Sequence, residues 1–258
     1  MEDLRYETQG AVARITIDRP ERRNAMSFAV MQGLREAVAR ARADDEVRVV
    51  VLTGAGDRAF CSGADLGGIA GTESASGAHE GRGLLADLFR DLWSLGKPTI
   101  ARVRGYALAG GFGLALACDF VIAADDAQFG TPEINVGLWP YMITVPLLRS
   151  MPPKRAYELM ATGRRVDAAE ADRIGFVTRV VGVDELDGAV DELAGRLTTK
   201  SPLIMRWGRD AFQRAQQMPD DAALDYLQSM LTVTSSTEDT AEGVAAFAAK
   251  REPVWKGR

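Results

Sequence analysis

The strongest constraint on this chain is a run of strand-forming residues that leads into a glycine-bearing turn and then a helical pattern, and it occurs twice. Residues 47–53 read Val-Arg-Val-Val-Val-Leu-Thr and lead to Phe60-Cys61-Ser62-Gly63-Ala64-Asp65-Leu66. Residues 99–103 read Thr-Ile-Ala-Arg-Val and lead to Gly105-Tyr106-Ala107-Leu108-Ala109-Gly110-Gly111-Phe112-Gly113, with an apolar helical run from Leu114 to Cys118 behind it. Short β-branched runs that alternate with helical periodicity predict buried strands in an α/β fold. At 258 residues and 47% hydrophobic content the chain has enough apolar surface for a large core, so disorder is excluded as its global state.

The flanking segments agree with that reading. Tyr6 to Thr8 and Ala11 to Asp18 alternate about Gln9-Gly10 and predict a hairpin, which ends at Arg19-Pro20. Ser27 is placed to cap a helix carrying Met31, Leu34, Val38 and Ala41. Residues 67–83 are small, polar and glycine-rich and predict a loop, with the chain's one histidine, His79, inside it. A helix is expected over 84–95, short strands at 120–123, 128–130 and 177–181, and a helix from Pro153. Asp167 and Glu170 have capping-box spacing before a helix that ends at Gly175. From 185 onward the signals are helical almost throughout, in segments 185–197, 202–218, 221–233 and 238–250. The expected organisation is an α/β core over 1–195 and a helical region over 196–258.

Composition narrows the function. A formal charge of −5 with no dense basic cluster argues against a nucleic-acid partner. No apolar run reaches membrane-spanning length, and two cysteines suggest neither a disulfide framework nor a zinc site, which predicts a cytoplasmic protein with no metal. The glycine turns have two readings: tight strand-to-helix packing, or backbone N–H groups offered to an anionic oxygen. The second turn lacks the lysine of a phosphate loop and the glycine spacing of a dinucleotide site. Glu133, in Phe129-Gly130-Thr131-Pro132-Glu133-Ile134, is either a solvated turn glutamate or a desolvated acid/base group. Asp65 and Asp119 suit capping and junction roles, and Cys61 suits packing, with no evident base beside it. With a single histidine, a Ser-His-Asp triad is not expected.

Four segments in this order, Asp18-Arg19-Pro20 with Asn24-Ala25-Met26, Phe60 to Leu66, Gly105 to Asp119, and Phe129 to Glu133, resemble the crotonase family, also called the enoyl-CoA hydratase/isomerase family. The resemblance spans nearly the whole chain. It implies an α/β spiral of ββα turns with a C-terminal helical region used for trimers or dimers of trimers. It implies an acyl-CoA thioester substrate, coenzyme A entering as part of that substrate and no separate cofactor. The thioester oxygen would sit between the N–H groups of Ala64 and Gly110, with Glu133 as acid/base. Contacts to the CoA portion map to Arg22, Asn24, Ala25, Ser62, Asp65 and Leu66, and to Lys250 and Lys256 near the C-terminus.

The chain departs from the family's hydratases at two places. Their first glutamate falls on Gly113, and their glycine-rich stretch after the proline falls on Pro140-Tyr141-Met142-Ile143-Thr144, where bulkier side chains are expected to narrow and dry the site. One carboxylate suffices to move a proton between two carbons of an enoyl-CoA, so double-bond isomerisation is placed ahead of hydration. The alternatives are a non-catalytic acyl-CoA-binding protein, or an acyl-CoA hydrolase on the same oxyanion hole, for which no nucleophile is identified.

Overall fold

The computed structural model describes residues 3–65 and 75–258. The predicted hairpin is β1 (Leu4–Gln9) and β2 (Val12–Ile17), antiparallel from Leu4↔Ile17 to Gln9↔Val12. Gly10 takes the turn at φ +55. Helix α1 (Phe28–Ala43) begins at Ser27, whose hydroxyl accepts from the Val30 N–H at 3.2 Å. It buries Met31, Leu34, Val38 and Ala41, the residues whose spacing predicted it.

From there the chain winds in repeated turns. Strands β3 (Val49–Gly54) and β4 (Ala59–Cys61) precede α2 (Ala75–Trp93), and β5 (Thr99–Val103) and β6 (Tyr106–Leu108) precede α3 (Gly110–Ala117). Strands β7 (Phe120–Ala124) and β8 (Gln128–Gly130) lead to a 3-10 turn (Pro132–Val136) and to α4 (Thr144–Ser150) and α5 (Pro153–Thr162). The five longer strands and the three-residue β10 (Arg179–Val181) join one sheet in the order β1-β2-β3-β5-β7-β10, and the other short strands join a second in the order β4-β6-β8-β9, where β9 is Arg165–Asp167. Neighbours β2, β3, β5, β7 and β10 pair in parallel. This is the expected spiral of ββα turns.

The larger sheet is covered on both faces, which is why its strands read as continuous apolar runs. Val50 and Leu52 face the main core with α1 and α2, while Val49 and Val51 pack with Ile100 and Ile122 against Leu186 and Val190 of α7 (Leu186–Thr198). Helices α6 (Ala168–Ile174), α8 (Pro202–Ala215), α9 (Asp220–Ser235) and α10 (Glu238–Ala248) complete the chain. Asp167 caps α6 by accepting the Glu170 N–H at 2.7 Å, but the Glu170 carboxylate turns to Arg164 instead of closing the box. No helix among the described residues is long and apolar enough to cross a membrane.

Two expectations change. The segment predicted as a loop over 67–83 is helical from Ala75, while Leu66 and residues 67–74 lie outside the described residues. Its glycines misled the reading, because Gly81 serves contact rather than flexibility: a Cβ there would lie 2.4 Å from the Phe28 ring. The two glycine turns are also not turns alone. Each contains a strand of three residues, too short for its alternation to show in sequence.

Candidate active site

The first layer of the site is a strap between residues 19–26 and 62–65. Arg23 and Asn24 adopt φ +52 and +55 and turn the chain back at Pro20–Arg22. The Ser62 N–H donates to Arg23 O at 3.1 Å, Met26 N–H to Gly63 O at 2.8 Å, and Asp65 N–H to Met26 O at 3.0 Å. Asn24, fully buried, donates to Ala55 O at 2.9 Å and Ala59 O at 2.6 Å and accepts from Arg19 N–H at 3.0 Å. The Arg19 guanidinium ties the layers together, reaching Ala25 O at 2.8 Å, Asp65 at 3.2 Å and Asp3 at 2.9 Å. A hollow of about 230 Å³ beside it is lined by Pro20, Glu21, Asn24 and residues 55–59.

The second layer sets the two glycine segments edge to edge. Gly63 has φ +101, and a Cβ there would lie 2.7 Å from Ala109 Cβ and 3.4 Å from the Gly110 nitrogen. A Cβ on Gly111 would lie 2.2 Å from Cys61 O. Both glycines are therefore required by close backbone approach. Gly110 is the first residue of α3, where N–H groups lack helical acceptors and the helix dipole is positive. Neither the Ala64 nor the Gly110 N–H has an acceptor among the described residues. Ala109, immediately before, is held at φ +52 and ψ −129, a strained conformation for a residue with a Cβ, and its N–H donates to Gly130 O at 2.9 Å.

That last bond brings in Glu133. Leu108 pairs with Gly130, so the turn after β8 emerges beside the start of α3. Pro132 opens that turn and Glu133 follows, with its carbonyl accepting the Leu138 N–H at 3.0 Å. The Oε2 atom of Glu133 is buried and has no hydrogen-bond partner among the described residues. Burial holds its carboxyl above the ordinary glutamate range, partly offset by a bond from its own backbone N–H. A buried carboxylate oxygen without a partner is rare, because it forfeits solvation for nothing in the folded chain.

The remaining candidates sort by what they touch. Burial pushes the Cys61 thiol up to about 12, which makes it a packing residue and not a nucleophile. His79 lies exposed on α2. Asp119 is structural: its Oδ2 accepts from Thr99 N–H at 2.8 Å, Thr99 Oγ1 at 2.9 Å and Arg209 Nε at 2.8 Å. Arg22 and Lys250 are exposed, and Lys256 pairs with Glu238 at 3.0 Å. A cavity of about 1070 Å³ lies elsewhere, between Trp93, the end of α3 and α8, and none of Ala64, Gly110 or Glu133 lines it.

The sequence named Ile143 among the bulky residues expected to narrow the site and placed Arg19 in a segment of the resemblance, but it did not show their partners. Leu85 and Met26 cover Gly110, and Phe89 and Ile143 cover Gly113. Leu85 and Phe89 carry a weak signal, being four apart on one helix face. The role of Arg19 as a clamp carried none, since an arginine before a proline is common in turns.

The description of the Enoyl-CoA hydratase/isomerase family matches residues 7–258. The chain is 39% identical to a carnitinyl-CoA dehydratase of Citrobacter koseri, over 100% of this chain and 99% of that one. In structure it is similar to an enoyl-CoA hydratase from Bacillus anthracis, with a TM-score of 0.95 and 32% identity over 100% of both chains. It is also similar to an enoyl-CoA hydratase/carnithine racemase from Magnetospirillum magneticum, with a TM-score of 0.91 and 33% identity over 100% of this chain and 97% of that one.

Proposed function

The chain belongs to the enoyl-CoA hydratase/isomerase family, and we propose that it moves a proton along an enoyl-CoA through an enolate held by the N–H groups of Ala64 and Gly110. The observation that carries this reading is the buried Oε2 of Glu133, unpartnered among the described residues, on the turn that Gly130 O ties to the Ala109 N–H at the start of α3. In the forward sense Glu133 takes the C2 proton of a 3-enoyl-CoA, the electron pair moves onto the thioester oxygen, and the proton returns at C4. Donors placed where that charge develops are worth about 3–4 kcal/mol each. Gly113 supplies no side chain to activate water, so isomerisation stands ahead of hydration.

The second reading is hydration or its reverse, and the relatives favour it, since one is named a dehydratase and another a hydratase. Supplying 2-enoyl-CoA and 3-enoyl-CoA separately decides between them. Migration of the double bond without water uptake is expected, and rapid hydration with no migration rejects the isomerase reading.

Coenzyme A enters as part of the substrate, along the strap formed by Arg22, Asn24, Ala25, Ser62 and Asp65, with Lys250 available to a phosphate. Asn24 acts there through backbone shape, its amide being committed to Ala55 and Ala59. Residues 196–258 serve assembly into trimers, supported by the apolar face that α9 leaves exposed. The two buried, unbridged cysteines fit a reducing cytoplasm.

A further inference from the structure

We propose that Ile143, backed by Phe89, decides the outcome by keeping the second turn of α3 dry, so that the double bond migrates and no water adds at C3 of the 2-enoyl-CoA. This rests on Glu133 as the proton carrier and names the residue that sets the outcome.

Gly110 and Gly113 are three apart and lie on one face of α3. Over Gly110 lie Leu85 Cδ2 and Met26 Cε, each 3.3 Å from where a Cβ would be. Over Gly113 lie Ile143 Cγ2 at 2.4 Å, Ile143 Cβ at 2.8 Å and Phe89 Cζ at 3.0 Å. Every one of these atoms is carbon. Ile143 and Phe89 are each 2% exposed. The nearby amides are already engaged, the Phe112 and Gly113 N–H groups both donating to Ala109 O at 3.0 and 3.1 Å. A buried water needs about two to four polar partners, and none of these nearest atoms is one.

Ile143 is also fixed. It stands at the start of α4, its carbonyl accepting the Leu147 N–H at 3.1 Å, while Thr144 Oγ1 donates to Pro140 O at 2.9 Å. Glu133 and Ile143 lie on the same connection between β8 and α4, ten residues apart, and Ile143 packs on α3.

The two outcomes differ by one co-reactant. Isomerisation breaks the C2–H bond, carries the proton on Glu133 and forms a C4–H bond, with no net uptake. Hydration acts on the 2-enoyl-CoA: the C2=C3 π bond and one O–H bond of water break, C3–O and C2–H bonds form, and one water is consumed. A wall that holds no water removes the second outcome without touching the first.

The test measures isomerised and hydrated product from 3-enoyl-CoA and 2-enoyl-CoA for the wild type, Ile143→Val, Ile143→Thr and Ile143→Ala. Ile143→Thr nearly conserves shape and adds a hydroxyl, and Ile143→Ala opens the same space should the first fold poorly. Each should raise the ratio of hydration to isomerisation by about ten-fold or more, while Ile143→Val stays within about two-fold of wild type. A crystal structure of Ile143→Thr should show water on the introduced hydroxyl. Folded Ile143→Thr and Ile143→Ala variants with the wild-type ratio overturn the proposal. Glu133→Gln separates the two levels: its inactivity leaves the Glu133 reading standing whatever the ratio does, and its full turnover rejects that reading itself.

Discussion

At the scale of single residues the proposed site turns on a carboxylate oxygen that the fold buries and leaves unpaired among the described residues. Burial penalises the charged form, so Glu133 keeps its proton to higher pH than an ordinary glutamate. The acid limb of kcat/KM should therefore lie above the range of an ordinary glutamate. The same shift has a sign for stability. A carboxyl whose folded pKa is raised contributes stability that is fully present below the unfolded pKa and is lost as pH rises through the folded one. Glu133→Gln removes a charge that only the folded chain penalises. It should melt higher than wild type at pH 7, with the gap closing toward pH 4, while kcat falls by about 10²–10⁴-fold. Wild-type turnover together with a lower melting temperature at pH 7 would show a structural glutamate instead. A protein with no turnover on a broad acyl-CoA panel, and a variant that binds as tightly, would favour a binding role.

At the scale of elements α3 carries the argument, because its two leading glycines meet different neighbours. A Cβ on Gly110 meets the mobile ends of Leu85 and Met26 at 3.3 Å, whereas one on Gly111 meets the Cys61 backbone at 2.2 Å. Side-chain ends can shift by tenths of an ångström and a strand cannot. Gly111→Ala should cost about 1–3 kcal/mol, lowering Tm by about 2–4 °C per kcal/mol. Gly110→Ala keeps its N–H, so its activity should stay near wild type with a smaller loss of stability. Equal losses in thermal unfolding would mean that β4 gives way where these contacts say it does not. The helix also shows what was legible. Val47 to Thr53, the Ser27 cap and the glycines before α3 announced themselves because their signals are local. Strands β4 and β6, the helical start at Ala75, and the pairing of Phe89 with Ile143 were not readable, since each depends on residues about fifty positions apart. Glu133 could be nominated from its proline and apolar flanks, but its orphan oxygen exists only once β8 has paired with β6.

At the scale of the whole molecule a buried arginine is one of the ties between the helical region and the core. Arg209 donates to Asp119 at 2.8 Å and to the last carbonyls of α2, Trp93 O at 2.8 Å and Leu92 O at 2.7 Å. The same helix presents Leu85 and Phe89 to α3, so loss of Arg209 should be felt at the site as well as in stability. Arg209→Met leaves Asp119 inside without its countercharge and should cost about 3–5 kcal/mol, with an added drop in kcat. A stability loss with kcat unchanged would separate the anchor from the site. Beyond that anchor the region is under-packed for a lone chain. Helix α9 buries none of its residues, yet Leu224 and Leu231, one heptad apart, are 65% and 68% exposed, and Phe247 on α10 is 87% exposed. Apolar stripes of this kind on a folded chain mark a protein interface. If they seat neighbouring copies, Leu224→Glu with Leu231→Glu places charges in that contact and should reduce the assembly to chains of 27.8 kDa. Light scattering behind a sizing column reads the mass directly, and far-UV circular dichroism checks that α9 remains helical. A wild type that already runs as a single chain, or a double variant of unchanged oligomeric mass, would put the interface elsewhere.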